Sequence, residues 1–181
     1  MDTEKEKQRR YRDTAEWLEA LLFAFVLIVL LYTFLFRVIS VSGSSMATTL
    51  NENDRVLVQC IAYKPKRGDV IVADSYTRYG KPLVKRIIAL EGDTVDIDFS
   101  TGAVLVNGEI LSEPYISTNT TDRHDVAFPL TVEEGCVFVL GDNRSVSLDS
   151  RSSEVGLIDV RNILGKAILR IYPFKEFGAV K

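Results

Sequence analysis

Ser45, Lys85 and the run from Gly141 to Arg151 are the residues of this chain whose types and spacing bear on chemistry. Ser45 lies in V-S-G-S-S-M-A-T-T-L, a few residues beyond an apolar stretch that ends near Phe36. A serine hydroxyl attacks a carbonyl only when a base takes its proton, and the commonest base is a histidine oriented by a carboxylate. The chain has one histidine, His124, in its most polar stretch, where an exposed and non-catalytic side chain is the better reading. A nucleophilic serine here therefore needs another base. Lys85, in P-L-V-K-R-I-I-A-L-E-G-D, is the candidate, because an amine that burial strips of its proton does the same work.

The demand on such a lysine is large. At an ordinary pKa near 10.4 it is only about 0.04% neutral at pH 7, and lowering it by three units takes about 4 kcal/mol of differential destabilisation of the ammonium. Burial among apolar side chains supplies shifts of that size. Leu83, Val84, Ile87 and Ile88 surround Lys85, and strand alternation predicts Lys85 inward on the face of Ile87 and Ala89, with Arg86 outward. On the K-R pair alone, a solvated strand lysine is the commoner case.

The elements that must position these groups begin with an apolar segment. Ala20 to Phe36 carries no charge and, as a helix, covers about 26 Å, close to the hydrocarbon thickness of a bilayer. Leu18 before it and Val38-Ile39 after it extend the stretch, and Trp17 and Tyr32 are placed for the two interfaces, with Tyr32 facing protein or lying inside the apolar run as the alternative. Lys5, Lys7, Arg9, Arg10 and Arg12 precede it, and Arg37 alone follows it closely. This asymmetry predicts a cytoplasmic segment 1–17, a transmembrane helix 18–39 and an extracytoplasmic domain 40–181. A cleavable leader is the alternative, since Ser40 and Ser42 are small residues at the right spacing, although the run is long for one and Arg37 follows directly.

Beyond residue 40, short apolar runs recur between turn signals: 55–61, 69–73, 84–90, 94–98, 104–106 and 137–140. This spacing predicts a mostly β domain, with Asn107-Gly108 closing a hairpin. Residues 112–129 read as an exposed loop or mobile ribbon, and 161–172 as a short turn followed by a final strand. With 181 residues, less an anchor, there is room for one catalytic domain. A net charge of -3 without a basic stripe argues against nucleic acid as a partner. Cys60 and Cys136 have no metal-ligand spacing and read as two buried thiols on strands, with a disulfide the less favoured alternative. No metal site is expected from a chain with one histidine.

Taken together, S-S-M-A-T-T-L, V-K-R-I-I-A-L-E-G-D and G-D-N-R-S-V-S-L-D-S-R, in this order behind an apolar anchor, closely resemble the type I signal peptidases, in the compact form typical of Gram-positive bacteria. The resemblance covers nearly the whole chain. It implies a signal-peptidase-type β catalytic domain preceded by one transmembrane helix. It also implies a membrane-bound serine endopeptidase that cuts signal peptides from exported preproteins after Ala-x-Ala-like sites. Ser45 would be the nucleophile, selected over Ser44 by the adjacent Met46, and Lys85 the general base. Ser147 would orient the lysine, and Asp142, Asp149 and Arg151 would form a supporting polar network. The oxyanion donors would be the Ser45 backbone N–H and, because Gly43 stands where some members carry serine, a Gly43 backbone N–H; the Ser42 and Ser44 hydroxyls stay open as alternatives.

Val41, Ser42, Gly43, Met46, Leu83 and Val84 would line an extended substrate. The partners implied are preproteins, the lipid bilayer and the secretion machinery; no cofactor is implied. Three positions depart from the family pattern: Thr48 stands for the usual proline, Ala89 for glycine and Glu91 for proline. None of them removes a reacting group. Two other readings share parts of this evidence. A self-cleaving repressor-type Ser-Lys protein shares the dyad but lacks the anchor, and a tethered β module that only binds exported proteins would not need Ser45, Lys85, Ser147 and Asp149 together.

Overall fold

The computed structural model describes residues 2–61 and 63–181, with the side chains of residues 2, 3, 5–9, 31 and 34 excepted. The chain falls into two compact units, Met1–Phe36 and Arg37–Lys181. The first is one helix, α1 (Asp2–Leu35). Its early turns are charged, with Arg12 and Glu16 paired one turn apart at 3.6 Å. Its later turns expose apolar side chains around the whole circumference, among them Leu21, Phe23, Phe25 and Ile28.

The expected helix 18–39 is corrected at its end, because Phe36–Ser40 is a strand (β1). The uncharged helical run is therefore Ala20–Leu35, about 24 Å long against a hydrocarbon core of about 30 Å. Among the described residues, no helix is long and apolar enough to cross a membrane. Of the basic residues that precede the run, the side chains of Lys5, Lys7 and Arg9 lie outside those described.

The second unit is built of strands. After β1 come β2 (Arg55–Gln59), β3 (Val70–Ala73), β4 (Leu83–Leu90), β5 (Thr94–Asp98), β6 (Ala103–Val106), β7 (Glu109–Ile110), β8 (Leu130–Thr131), β9 (Cys136–Leu140), β10 (Ile158–Asp159), β11 (Ile163–Tyr172) and β12 (Gly178–Ala179). One sheet runs β1-β2-β11-β3-β4-β9-β10, with β12 on β11, and a smaller one runs β7-β6-β5-β8. Asn107 and Gly108 both have positive φ, 55° and 83°, as a two-residue hairpin between β6 and β7 requires.

Alternation explains the core. β3 is buried on both faces: Val70 and Val72 join Met46, Leu50, Val56 and Val58, whereas Ile71 and Ala73 join Leu83, Ile87 and Val139. β4 changes layers midway, through a register shift between Ile87 and Ala89 in its pairing with β9. Ile87 stays with the cluster of Leu83, while Ile88 and Ala89 pack with Val95, Val104 and Phe138 over the small sheet. The expectation that Lys85, Ile87 and Ala89 share one face therefore holds only as far as Ile87, because the extra residue of a bulge turns the strand.

Three further expectations meet the structure. A 3-10 turn (Val160–Asn162) and β11 occupy the predicted C-terminal turn and strand, but β12 follows, so β11 is not last. The stretch 112–129 is irregular, yet Thr120 within it is fully buried. Both cysteines are free and half-buried; Cys136 opens β9, and Cys60 sits just past the end of β2.

Candidate active site

Lys85 lies in the middle of β4, between the buried side chains of Leu83 and Ile87 on its face of the strand, and is only 4% exposed. Its Nζ donates to Ser45 Oγ at 2.7 Å. Burial lowers the Lys85 pKa to about 8; Asp149 and Asp142 oppose the shift and Arg151 assists it. Ser45 stands in a turn anchored by its neighbour Met46, whose side chain is buried with Leu50 in the core and whose C=O accepts from Thr49 and Leu50 N–H groups. The nucleophile candidate is thus held from below by a core residue while its own hydroxyl meets the lysine. Among the described residues, the Ser45 N–H has no acceptor.

The segment 141–151 locks this loop in place. Asn143 N–H donates to the Ser45 carbonyl at 3.0 Å, and Asn143 Nδ2 donates to the Ser44 carbonyl at 3.2 Å. Gly141 lies so close that a Cβ there would stand 2.5 Å from the Ser45 carbonyl oxygen and 2.2 Å from Ser147 Oγ. No other residue fits that gap.

Asp149 is fully buried; it accepts from Arg151 Nε at 2.8 Å and from Gly141 N–H at 3.1 Å. Arg151 also donates to the carbonyls of Arg144, Ser147 and Asp122. Asp142, equally buried, accepts from Arg86 Nε at 2.8 Å and Nη2 at 2.6 Å, and from the Thr49 hydroxyl. Arg86 is therefore not outward in solvent as alternation suggested. It points to the other face of β4, but that face is covered: its guanidinium also reaches the Gly68 and Lys181 carbonyls and lies 4.0 Å from the centre of the Tyr115 ring.

Ser147 differs from its expected place in the network. Its hydroxyl is buried without a hydrogen-bond partner among the described residues, so the bond to Lys85 implied by the resemblance is not made here. Of the expected substrate-lining residues, Val41 and Met46 are corrected: both side chains belong to the core, and the Val41 N–H and C=O are already bonded to Asp54 and Asn53. Ser42 and Gly43 are exposed beside Ser45.

Leu83 and Val84 lie where β4 has an open edge. β3 pairs with residues 83–86 on one side, whereas β9 begins only at the Arg86–Leu140 pair on the other. The Ile87 N–H and C=O bond toward Asp69 and Gly68 on the β3 side, so by alternation Val84 turns its own to the open edge. Thr48, at the usual proline position, has φ 85°, which a proline ring locked near -65° does not reach. His124 is exposed and outside this constellation.

Thr49, Arg86, Glu113, Tyr115 and Asn143 take part in the site's surroundings although sequence reasoning gave them no role. For Arg86 a signal existed, a second charge inside an apolar strand; for Glu113 and Tyr115 none did.

A serine hydroxyl held against a buried, pKa-depressed lysine in a mostly β domain places this chain among the serine peptidases. Within that class, the model of the family described as "Signal peptidase, peptidase S26" matches residues 14–172, and the chain belongs to this family. It is 37% identical to "Signal peptidase I" of Bacillus licheniformis over 96% of this chain and 97% of that protein. It is 34% identical to "Signal peptidase I T" of Bacillus subtilis over 99% of this chain and 96% of that one. A crystal structure of a signal peptidase I from Enterococcus faecalis, 35% identical, covers 57% of this chain and 97% of its own, with a TM-score of 0.49.

Proposed function

We propose that this chain is a membrane-bound endopeptidase that removes N-terminal signal peptides from exported preproteins after Ala-x-Ala-like sites, with Ser45 as nucleophile and Lys85 as general base. The observation that carries this reading is the 2.7 Å contact between Lys85 Nζ and Ser45 Oγ, with the lysine buried. With a pKa of about 8, about a tenth of the molecules hold Lys85 as the free amine at pH 7. The amine takes the hydroxyl proton as Oγ bonds to the scissile carbonyl carbon and the carbonyl electron pair moves to oxygen. The free Ser45 N–H stabilises this oxyanion, with the Gly43 N–H, or the Ser42 or Ser44 hydroxyl, as the second donor.

Collapse re-forms the carbonyl and expels the amine of the mature protein, which receives the proton from the Lys85 ammonium. Lys85 then deprotonates water as it attacks the ester, and the second collapse returns the proton to Ser45 Oγ and frees the signal peptide's carboxyl end. Asp142, Asp149 and Arg151 hold the Ser45 loop and the lysine strand in register. The role of orienting Lys85 falls to Ser147 from the family resemblance alone, its buried hydroxyl having no partner among the described residues.

An extended substrate adds along the open edge at Leu83 and Val84 and past Ser42 and Gly43, and small side chains are selected by exclusion. The apolar half of α1 anchors the chain in the bilayer, with residues 1–17 cytoplasmic and the domain from residue 40 outside. Its uncharged helical run, about 24 Å, is short for a bilayer, so the anchor relies on local thinning or on the residues that follow it. Preproteins reach the site through the secretion machinery.

The test is processing of an Ala-x-Ala preprotein by the detergent-solubilised full chain beside Ser45→Ala and Lys85→Ala. Cleavage after the small residue, abolished in both variants with circular dichroism unchanged, is the expected result. Cleavage that persists in Ser45→Ala removes the nucleophile assignment. Release of the chain from membranes by alkaline carbonate removes the anchor.

A further inference from the structure

The segment from Glu113 to Thr120, between β7 and β8, lies outside all three motifs yet touches each of them. The Thr48 hydroxyl, in the serine motif, donates to the Tyr115 carbonyl at 2.9 Å. Arg86, in the lysine motif, lies 4.0 Å from the centre of the Tyr115 ring. In the third motif, the Asp142 carbonyl accepts from Ser117 N–H at 3.4 Å, and Arg144 forks onto both carboxylate oxygens of Glu113 and donates to the Thr120 hydroxyl. Tyr115 OH closes the set by donating to Glu113 Oε1 at 3.1 Å. Arg86, Arg144 and Thr120 are each at most 2% exposed, so the contacts of the two arginines are made away from water, whereas Thr48 and Ser117 are exposed.

We propose that this segment is the clamp that holds the serine loop against the lysine strand, and that Tyr115 is its positioning residue, acting on Lys85 and Ser45 through Arg86 and Thr48. This rests on the reading of Ser45 and Lys85 given above. The physical route is short. Arg86 adjoins Lys85 in the chain and pairs with Asp142, whose carboxylate favours the Lys85 ammonium. The aromatic face over the guanidinium excludes water from that pair and keeps Arg86 stretched toward Asp142. Without the ring, water enters beside Arg86 and the Asp142 charge is neutralised less completely by Arg86. The Asp142 carboxylate then favours the protonated, inactive lysine more strongly. The Thr48 bond adds a geometric effect, since it ties a loop held at φ 85° to the same residue.

The experiment compares Tyr115→Leu, which fills the space without an aromatic face, and Tyr115→Phe, which keeps the ring and loses only the hydroxyl. The full-length protein in detergent is assayed on an Ala-x-Ala preprotein from pH 6 to 10, with thermal midpoints measured in parallel. In Tyr115→Leu, kcat is expected to fall by about tenfold or more with KM little changed, as a misplaced reacting group gives. The acid limb of its kcat/KM profile is expected at higher pH. Tyr115→Phe is expected to restore both. A Tyr115→Leu profile whose acid limb does not move, with only the thermal midpoint lowered, overturns the proposal. So does Tyr115→Phe behaving like Tyr115→Leu. Lys85→Ala separates the two readings: cleavage that survives in it overturns the base assignment and the clamp together. Cleavage lost in Lys85→Ala with an unmoved limb in Tyr115→Leu overturns the clamp alone.

Discussion

Replacing Lys85 by methionine, an apolar side chain of similar length, isolates the energetic cost of the buried amine. The folded pKa is about 8 against an ordinary 10.5, so below pH 8 both the folded and the unfolded chain hold the proton, and the folded state bears the full penalty of the buried charge. At about 1.36 kcal/mol per pKa unit this is about 3 kcal/mol. Between pH 8 and 10.5 the unfolded chain keeps a proton that the folded one has lost, so stability rises with pH through that window and the penalty is gone above it.

Methionine bears no such penalty. It forfeits the hydrogen bond to Ser45, worth about 1 kcal/mol net. The variant should therefore be inactive yet more stable than the parent by about 2 kcal/mol at pH 7, and the gain should vanish as pH passes 10. Urea unfolding of the full chain in detergent, followed by far-UV circular dichroism at both pH values, measures this. Indole fluorescence does not serve, because the single tryptophan, Trp17, is in α1. A methionine variant less stable at pH 7, or a difference that does not change with pH, refutes the reasoning.

Cleavage by the unmodified protein should rise with pH and level off above about pH 8, following the amine form of Lys85; a kcat/KM profile flat from pH 6 to 9 contradicts this. Arg86→Met and Asp142→Ala should each cost about 3–5 kcal/mol, because each strands a buried charge, while the double variant should cost less than the sum, as a double-mutant unfolding cycle would register. Gly141→Ala should lower stability by about 1–3 kcal/mol, by pushing a methyl group against Ser147 and the Ser45 carbonyl, and should lower kcat more than KM when the folded enzyme is assayed.

The candidate site was legible through combination: one histidine in a polar stretch points to another base, Lys85 beside Arg86 reads on its own as a solvated strand lysine, and only the three motifs in order single it out. The strands were legible more directly, since period-two patterns and turn residues such as Asn107-Gly108 act locally. What stayed hidden depends on residues distant in sequence. The bulge after Ile87 is imposed by pairing with β9, and it decides which layer Ala89 enters.

Arg86 looked solvent-facing because alternation says which face a side chain takes and nothing of what covers that face; Asp142, 56 positions on, and Tyr115 cover it. Val41 and Met46 looked available to a substrate because nearness to Ser45 in sequence does not reveal that both drop into the core. By itself the sequence determined the mostly β architecture and the apolar segment before it, because these follow from local composition and period, whereas the choice of Ser45 and Lys85 rested on three motifs occurring together in order. The tertiary structure alone decided how deep Lys85 lies, how its charge is balanced by Asp149, Asp142 and Arg151, and that Glu113 and Tyr115 reach all three motifs. Desolvation and charge pairing are set by neighbours that only folding brings within a few ångströms.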